Sequence, residues 1–199
     1  MLKPATTWFS ERGWDVATFQ RLAWESFLAG KDGLIHSPTG SGKTLAAIVG
    51  PLLERLAEAE PSEGTDPIRV IWITPLRALA SDTAAALREA VEGLGVPFSV
   101  ALRTGDTSAA EKTKQRKKLP SILITTPESL TLLLTHHEVL EQFKGLRAVV
   151  CDEWHELLGS KRGVQTDLAL SRLRKLAPKL RVWGVSATLG NVQEAAQAL

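Results

Sequence analysis

The stretch Ser37-Pro38-Thr39-Gly40-Ser41-Gly42-Lys43-Thr44 decides the fold. It follows a short apolar run, Leu34–Ser37, that reads as a strand end, and it opens a segment of helical period from about Lys43 to Glu58. Strand, glycine-bearing turn and helix in that order make a phosphate-binding loop, here with Ser37 in place of the first glycine. Gly40 and Gly42 let the backbone curl so that its N–H groups face phosphate oxygens, and the helix N-terminus adds partial positive charge. In such a loop Lys43 reaches the β and γ phosphates and the Thr44 hydroxyl serves Mg²⁺. Pro51 falls inside the helix and is expected to bend or shorten it.

Outward from this loop the chain alternates apolar runs with segments of helical period. Arg69–Thr74, Phe98–Arg103, Ser121–Thr125, Leu146–Asp152 and Leu180–Ser186 read as strands. Helices are expected at about Leu76–Leu94, Ala109–Lys118, Glu128–Leu134 and Gln165–Leu176, with a helix-like tail at the end and a polar Pro/Gly loop at Glu60–Pro67. Strands apolar on both faces and separated by helices predict an α/β fold, a parallel sheet with helices on both faces. Ligands in such folds sit at the carboxyl ends of the strands, so the residues just after each strand are the ones to read.

After Ala148-Val149-Val150-Cys151 come two acids, Asp152 and Glu153, then Trp154 and His155. A triphosphatase needs a carboxylate in the metal shell and a group that orients the attacking water, roles that suit Asp152 and Glu153 respectively. His155 reads as a coupling or structural group. After the last strand, Ser186-Ala187-Thr188 places small hydroxyls within reach of His155 or the acids.

Composition narrows the classes. With 199 residues, 44% of them hydrophobic and 23% charged, the chain can bury a core and reads as one domain. A single cysteine, Cys151, excludes a disulfide framework and a multi-thiolate metal site. No apolar run approaches the roughly 18 residues of a membrane span, and Met1–Ser10 has no signal-peptide pattern, so a cytoplasmic location without membrane contact is expected. Net charge is +2, but unevenly spread: residues 1–99 carry 9 Lys/Arg against 12 Asp/Glu, residues 100–199 carry 15 against 10. That asymmetry hints at an anionic partner.

Taken in order, Gln20, Ser37–Thr44, Thr74-Pro75-Leu76-Arg77-Ala78-Leu79-Ala80, Thr126-Pro127-Glu128-Ser129, Asp152–His155 and Ser186–Thr188 resemble the motifs of superfamily 2 helicases. Trp8-Phe9 with Arg12-Gly13-Trp14, Arg103–Thr107 and Trp183–Asn191 narrow the resemblance to Lhr-type DExH helicases. The stretch Asp152–Gly163 looks most like their bacterial ligase-associated branch. The resemblance implies a RecA-like P-loop NTPase fold over residues 1–199, the first motor domain of an ATP-dependent helicase that is partnered by a second RecA-like domain. It also implies ATP and Mg²⁺ as cofactors, single-stranded DNA as the tracked strand, 3′-to-5′ movement, and repair partners such as a DNA ligase or nuclease.

Residue by residue, the resemblance gives Gln20 the adenine edge, Pro38, Thr39, Gly40, Ser41, Gly42, Lys43 and Thr44 the phosphates, and Thr44 and Asp152 the metal. Glu153, with Lys43 and Asp152, is catalytic; His155, Ser186 and Thr188 couple nucleotide state to the rest of the motor. Thr74, Arg77, Thr104, Gly105 and Thr126, and less firmly Arg103, grip the nucleic-acid backbone. Hydroxyls, arginine and backbone N–H groups are what phosphate contacts use, although Thr126 before Pro127 also reads as a helix cap. Trp154 stands where the motif has a small residue and is expected to pack, as are Trp72 and Trp183, while Cys151 is expected to be inert. The basic run Lys112–Lys118 reads first as a solvated face. Because arginines from a second domain complete such ATP sites, these 199 residues alone are expected to hydrolyse ATP poorly. A P-loop ATPase acting on a non-nucleic substrate, an RNA helicase, and a non-enzymatic nucleic-acid-binding module stay open as alternatives.

Overall fold

The structure is a computed structural model that describes residues 1–58, 67–188 and 195. Six strands, β1 (Gly33–His36), β2 (Val70–Ile73), β3 (Val100–Arg103), β4 (Ile122–Thr125), β5 (Ala148–Cys151) and β6 (Arg181–Ser186), form one sheet in the order β1-β6-β5-β2-β4-β3. Every pairing is parallel. The sequence dictates this directly: side chains alternate across a strand, and β2 sends Val70 and Trp72 into one core cluster and Ile71 and Ile73 into the other. A strand apolar on both faces is stable only when both are covered.

On the first face lie α1 (Lys3–Glu11), α2 (Thr18–Leu28), α3 (Lys43–Ala57) and α4 (Arg77–Gly93). Trp8, Phe9, Trp14 and Trp24 interlock edge to face, and the Arg12 guanidinium stacks 5.4 and 5.1 Å from the Trp8 and Trp14 ring centres. The second face carries α6 (Pro127–Leu134), α7 (His137–Leu140) with a 3₁₀ turn at Glu141–Gly145, α8 (Trp154–Leu157) and α9 (Lys161–Leu176). The short helix α5 (Ala109–Lys117) is fastened to strand β3 through Gln115, whose amide donates to the Leu102 carbonyl at 2.9 Å.

Two helices differ from the sequence reading. Helix α3 runs through Pro51 to Ala57 without stopping, because the flanking buried residues Ala46–Leu53 supply more packing than one lost N–H bond removes. Gly50 sits so close to Phe27 that an added Cβ would lie 2.8 Å from the Phe27 Cβ, which sets the α2–α3 spacing. Helix α9 starts four residues before Gln165, at Lys161, where the Ser160 hydroxyl caps the Gly163 N–H at 3.1 Å. The expected loop at Glu60–Pro67 and the tail beyond Thr188 lie outside the described residues, apart from Pro67 and the buried Ala195.

Candidate nucleotide and nucleic-acid site

Strand order divides the carboxyl edge of the sheet into two halves. The phosphate loop follows β1, Ser186–Thr188 ends β6 and Asp152–His155 follows β5; these three strands are neighbours. Thr74–Arg77, Thr126 and Thr104–Gly105 follow β2, β4 and β3, which make up the other half.

In the loop, Gly40 and Gly42 take φ of +78° and +87°, the left-handed region open to glycine. The N–H groups of Gly40, Gly42, Lys43 and Thr44 meet no acceptor among the described residues, so the turn presents four donors at the N-terminus of α3. The Lys43 ammonium donates to the carbonyls of Ser37 and Pro38, both at 2.7 Å, and Ser37 donates to the Ser41 hydroxyl at 2.8 Å. Thr39 and Gly40 make the turn, closed by the Ser41 N–H on the Pro38 carbonyl at 3.3 Å, and the loop as a whole is a concave set of donors with one cation.

Gln20 is buried beneath this loop. Its amide nitrogen donates to the Gly42 carbonyl at 3.1 Å and its oxygen accepts the Ala17 N–H at 3.0 Å, completing the N-cap of α2. One amide hydrogen and one lone pair are left for a ligand, so Gln20 ties the first helices to the phosphate loop besides any part in reading a base.

Across the edge, Asp152 accepts the Glu153 N–H through Oδ1 at 3.0 Å and the Trp72 indole N–H through Oδ2 at 3.1 Å. Burial holds the Asp152 carboxyl above the ordinary carboxylate range; the Trp72 N–H opposes this, the Glu153 charge adds to it, and Lys43 also works against it. Glu153 has φ +45° and ψ +49°, and it is the one non-glycine residue with positive φ among the described residues. Strain of this kind persists where surrounding structure enforces it, commonly at reactive sites. From that position the Glu153 carboxylate lies 3.5 Å from His155 Nδ1, which in turn is 2.8 Å from the Ser186 hydroxyl. Ser186 donates to the Thr188 carbonyl at 3.0 Å, so its hydroxyl accepts from His155 Nδ1–H, and the Ser37 N–H donates to the Ser186 carbonyl at 3.3 Å. A continuous chain therefore joins Glu153, His155, β6 and the phosphate loop.

The described residues hold no cluster of three or more His, Cys, Asp or Glu side chains suited to a metal ion. Thr44 and Asp152 instead offer one hydroxyl and one carboxylate, a hard-oxygen pair that fits Mg²⁺ when phosphate oxygens and water fill the remaining positions. Cys151 is fully buried, and that burial pushes its thiol far above the ordinary range, so it is inert as expected. Trp154 packs as expected, donating its indole N–H to the Ala195 carbonyl at 2.9 Å.

On the other half, Thr74 is buried, with its hydroxyl donating to the Leu76 carbonyl at 3.2 Å. Arg77 is exposed, pairs with Asp106 at 3.4 Å and lies against Gly105, where an added Cβ would fall 2.7 Å from its guanidinium. Thr104 Oγ1 accepts the Asp106 N–H at 3.3 Å, and Thr126 Oγ1 caps α6 by accepting the Ser129 N–H at 3.4 Å. Arg103 corrects the expectation. It is buried and donates to the Lys112 carbonyl and to Gln115 Oε1 at 3.1 and 3.2 Å, so it braces α5 and offers no backbone grip. Two partners escaped the sequence reading: Trp72, whose polar edge is invisible in an apolar strand, and Arg162, which joins Glu128 at 2.7 Å to the Pro75 carbonyl at 3.0 Å.

The sequence profile of the DEAD/DEAH box helicase family matches residues 17–195. The chain belongs to that family. Among individual helicases it is 38% identical to the ATP-dependent helicase Lhr-Core of Methanothermobacter thermautotrophicus, over 96% of this chain and 23% of that protein. It is 34% identical to the Lhr helicase/uracil glycosylase of Escherichia coli, over 100% of this chain and 14% of the relative. The chain thus spans about a quarter or less of these relatives. The structure of Mycobacterium smegmatis helicase Lhr bound to ssDNA and AMP-PNP superposes with a TM-score of 0.85 at 34% identity, covering 98% of this chain and 26% of that one. The helicase MrfA bound to DNA and AMPPNP gives 0.83 at 27% identity, covering 98% and 27%. The fold is the RecA-like domain of these helicases, and no helix among the described residues is long and apolar enough to cross a membrane.

Proposed function

We propose that this helicase domain binds ATP with Mg²⁺ on the β1-β6-β5 half of its edge and a nucleic-acid backbone on the β2-β4-β3 half, as the first motor domain of an ATP-dependent DNA helicase. The observation that carries this reading is the division of one sheet edge into a phosphate-and-acid half, in which the Glu153–His155–Ser186 chain links the acids to the phosphate loop, and a hydroxyl-and-arginine half beside it. The loop N–H groups and Lys43 hold the triphosphate, with Gln20 against the adenine. Thr44 and Asp152 would hold Mg²⁺, which neutralises phosphate charge when bound. Glu153 orients the attacking water and takes its proton, while His155, Ser186 and Thr188 report the nucleotide to the loops beyond.

Thr74, Arg77, Thr104, Gly105 and Thr126 line the track for the strand. Single-stranded DNA is favoured because the Mycobacterium smegmatis relative holds it. The 3′-to-5′ direction rests on the resemblance to Lhr-type helicases, the cytoplasmic setting on the single cysteine and the lack of a signal pattern in the sequence, and the repair role with a ligase or nuclease partner on the likeness of Asp152–Gly163 to the ligase-associated branch. A second RecA-like domain would supply an arginine to the phosphates, worth roughly 10³-fold or more in turnover. The test is Glu153→Gln in the longer protein: fluorescent-ATP affinity should stay within about threefold of wild type while ssDNA-stimulated hydrolysis falls at least about 10²-fold. Turnover near the wild-type rate removes Glu153 as base, and wild-type turnover indifferent to any nucleic acid favours a P-loop ATPase of another kind.

A further inference from the structure

Trp72 lies at the centre of the sheet, on β2 between β4 and β5, and is fully buried. Its ring belongs to the core cluster that also contains Ala46, Ile48 and Val49 of α3, the helix opened by the phosphate loop. A buried indole N–H needs an acceptor. Here the acceptor is no backbone carbonyl but the Oδ2 atom of Asp152, at 3.1 Å on the neighbouring strand end. The other carboxylate oxygen takes the Glu153 N–H at 3.0 Å. With both oxygens bonded, the plane of the Asp152 carboxylate is fixed, and each oxygen keeps a lone pair for a cation.

We propose that Trp72 is a positioning residue for the metal-binding carboxylate, its indole N–H setting the orientation in which Asp152 shares a divalent cation with Thr44 and the nucleotide. The inference rests on the Mg²⁺–ATP reading of the site. Outer-shell donors of this kind hold ligating carboxylates in place, and removing one lowers metal affinity 10- to 100-fold as an order of magnitude. Phenylalanine at position 72 keeps an aromatic ring in the core and deletes only the donor edge, so the two duties of the side chain separate.

The experiment measures mant-ATP binding to the 199-residue chain by anisotropy, in EDTA and in Mg²⁺, for wild type, Trp72→Phe, Asp152→Asn and the double variant. Trp72→Phe should leave affinity in EDTA within about twofold and cut the Mg²⁺-dependent gain about tenfold or more. On the Asp152→Asn background it should change nothing further. An equal loss with and without Mg²⁺ makes Trp72 a packing residue only and overturns the proposal, as does an undiminished Mg²⁺ gain or an additional loss in the double variant. In the wild-type chain, the Trp72 indole resonance of a ¹⁵N-labelled sample should shift when Mg²⁺ joins the ATP complex, a readout independent of how Trp72→Phe folds. A Trp72 resonance that ignores the cation refutes the assignment. Wild-type chain that binds nucleotide with no gain from Mg²⁺ refutes instead the reading of the site on which the assignment stands.

Discussion

Replacing Gly42 by alanine should damage the phosphate loop more than the same change at Gly40, and the difference can be worked out from the structure. Both glycines have positive φ, and a Cβ in the left-handed region costs about 1–2 kcal/mol. At Gly40 that is the whole penalty, because nothing lies within 4 Å of the added atom. At Gly42 the new Cβ would sit 2.5 Å from the Gln20 amide nitrogen, so Gln20 must withdraw and give up its bond to the Gly42 carbonyl. One such bond contributes about 0.5–1.5 kcal/mol, which brings the Gly42→Ala penalty to about 1.5–3.5 kcal/mol, roughly ten- to four-hundredfold as a binding constant.

Where the penalty appears depends on the free loop. A loop that keeps its shape without nucleotide shows the strain as lost folding stability; one that relaxes shows it as lost affinity. The quantity to compare is therefore the sum of the two, from urea denaturation and fluorescent-ATP titration of the same variants. The sum should be larger for Gly42→Ala than for Gly40→Ala, and the excess should vanish on a Gln20→Ala background. A Gly42→Ala sum no larger than that of Gly40→Ala refutes the role of Gln20 as a brace of the loop, and so does an excess that survives Gln20→Ala.

Two further outcomes follow from the same geometry. Burial raises the Asp152 carboxyl, so the native state binds its proton more tightly than the unfolded chain; without metal, stability falls as pH climbs from about 3.9, the ordinary Asp value, through the raised one, and the full penalty stands at neutral pH. Asp152→Asn should flatten that pH dependence in EDTA; a pH dependence of stability unchanged by the substitution would contradict it. Arg77→Ala should weaken single-stranded DNA binding and reduce the slope of log K against log salt by about 0.7, the share of one phosphate contact. Gly105→Ala, which crowds the Arg77 guanidinium, should act in the same direction more weakly, and an unchanged slope for Arg77→Ala would remove it from the backbone contacts.

The parallel sheet was legible because each strand carries its apolar residues on both faces, and the phosphate loop because its glycines, lysine and threonine stand in one uninterrupted run. What escaped was the second use of side chains. Trp72 reads as core, and it is core, yet its N–H edge faces an acid 80 positions away in sequence; no local pattern carries that. Arg103, next to two residues of a backbone-gripping motif, carries the charge such a motif wants, but β3 turns it inward onto the Lys112 carbonyl and Gln115. The strand period of two decides the matter, because Arg103 shares a strand with Val100–Leu102 and its direction is fixed by theirs. The left-handed conformation of Glu153 was equally hidden, since nothing about glutamate announces positive φ.

The threonines of the proposed track show what its chemistry must be. The hydroxyls of Thr74, Thr104 and Thr126 are each engaged with their own loops, on the Leu76 carbonyl, the Asp106 N–H and the Ser129 N–H respectively. All three side chains are buried. A hydroxyl bonded locally and shielded from solvent shapes a turn; it does not reach out to a phosphate three or more ångströms beyond the surface. The groups left to meet a strand are backbone N–H donors on turns held by those hydroxyls, together with the exposed Arg77. Donors of that kind read the spacing of phosphates and nothing of the bases, which is what a motor needs if it is to step along a strand of any sequence. The geometry of the turns then matters more than the identity of the hydroxyls. Arg162, bonded to the Pro75 carbonyl and to Glu128 just behind Thr126, fixes two of the turns relative to each other and to α9. Since α9 follows Asp152–His155 after only the short helix α8, a change at the acids has a short covalent path to the spacing of the track.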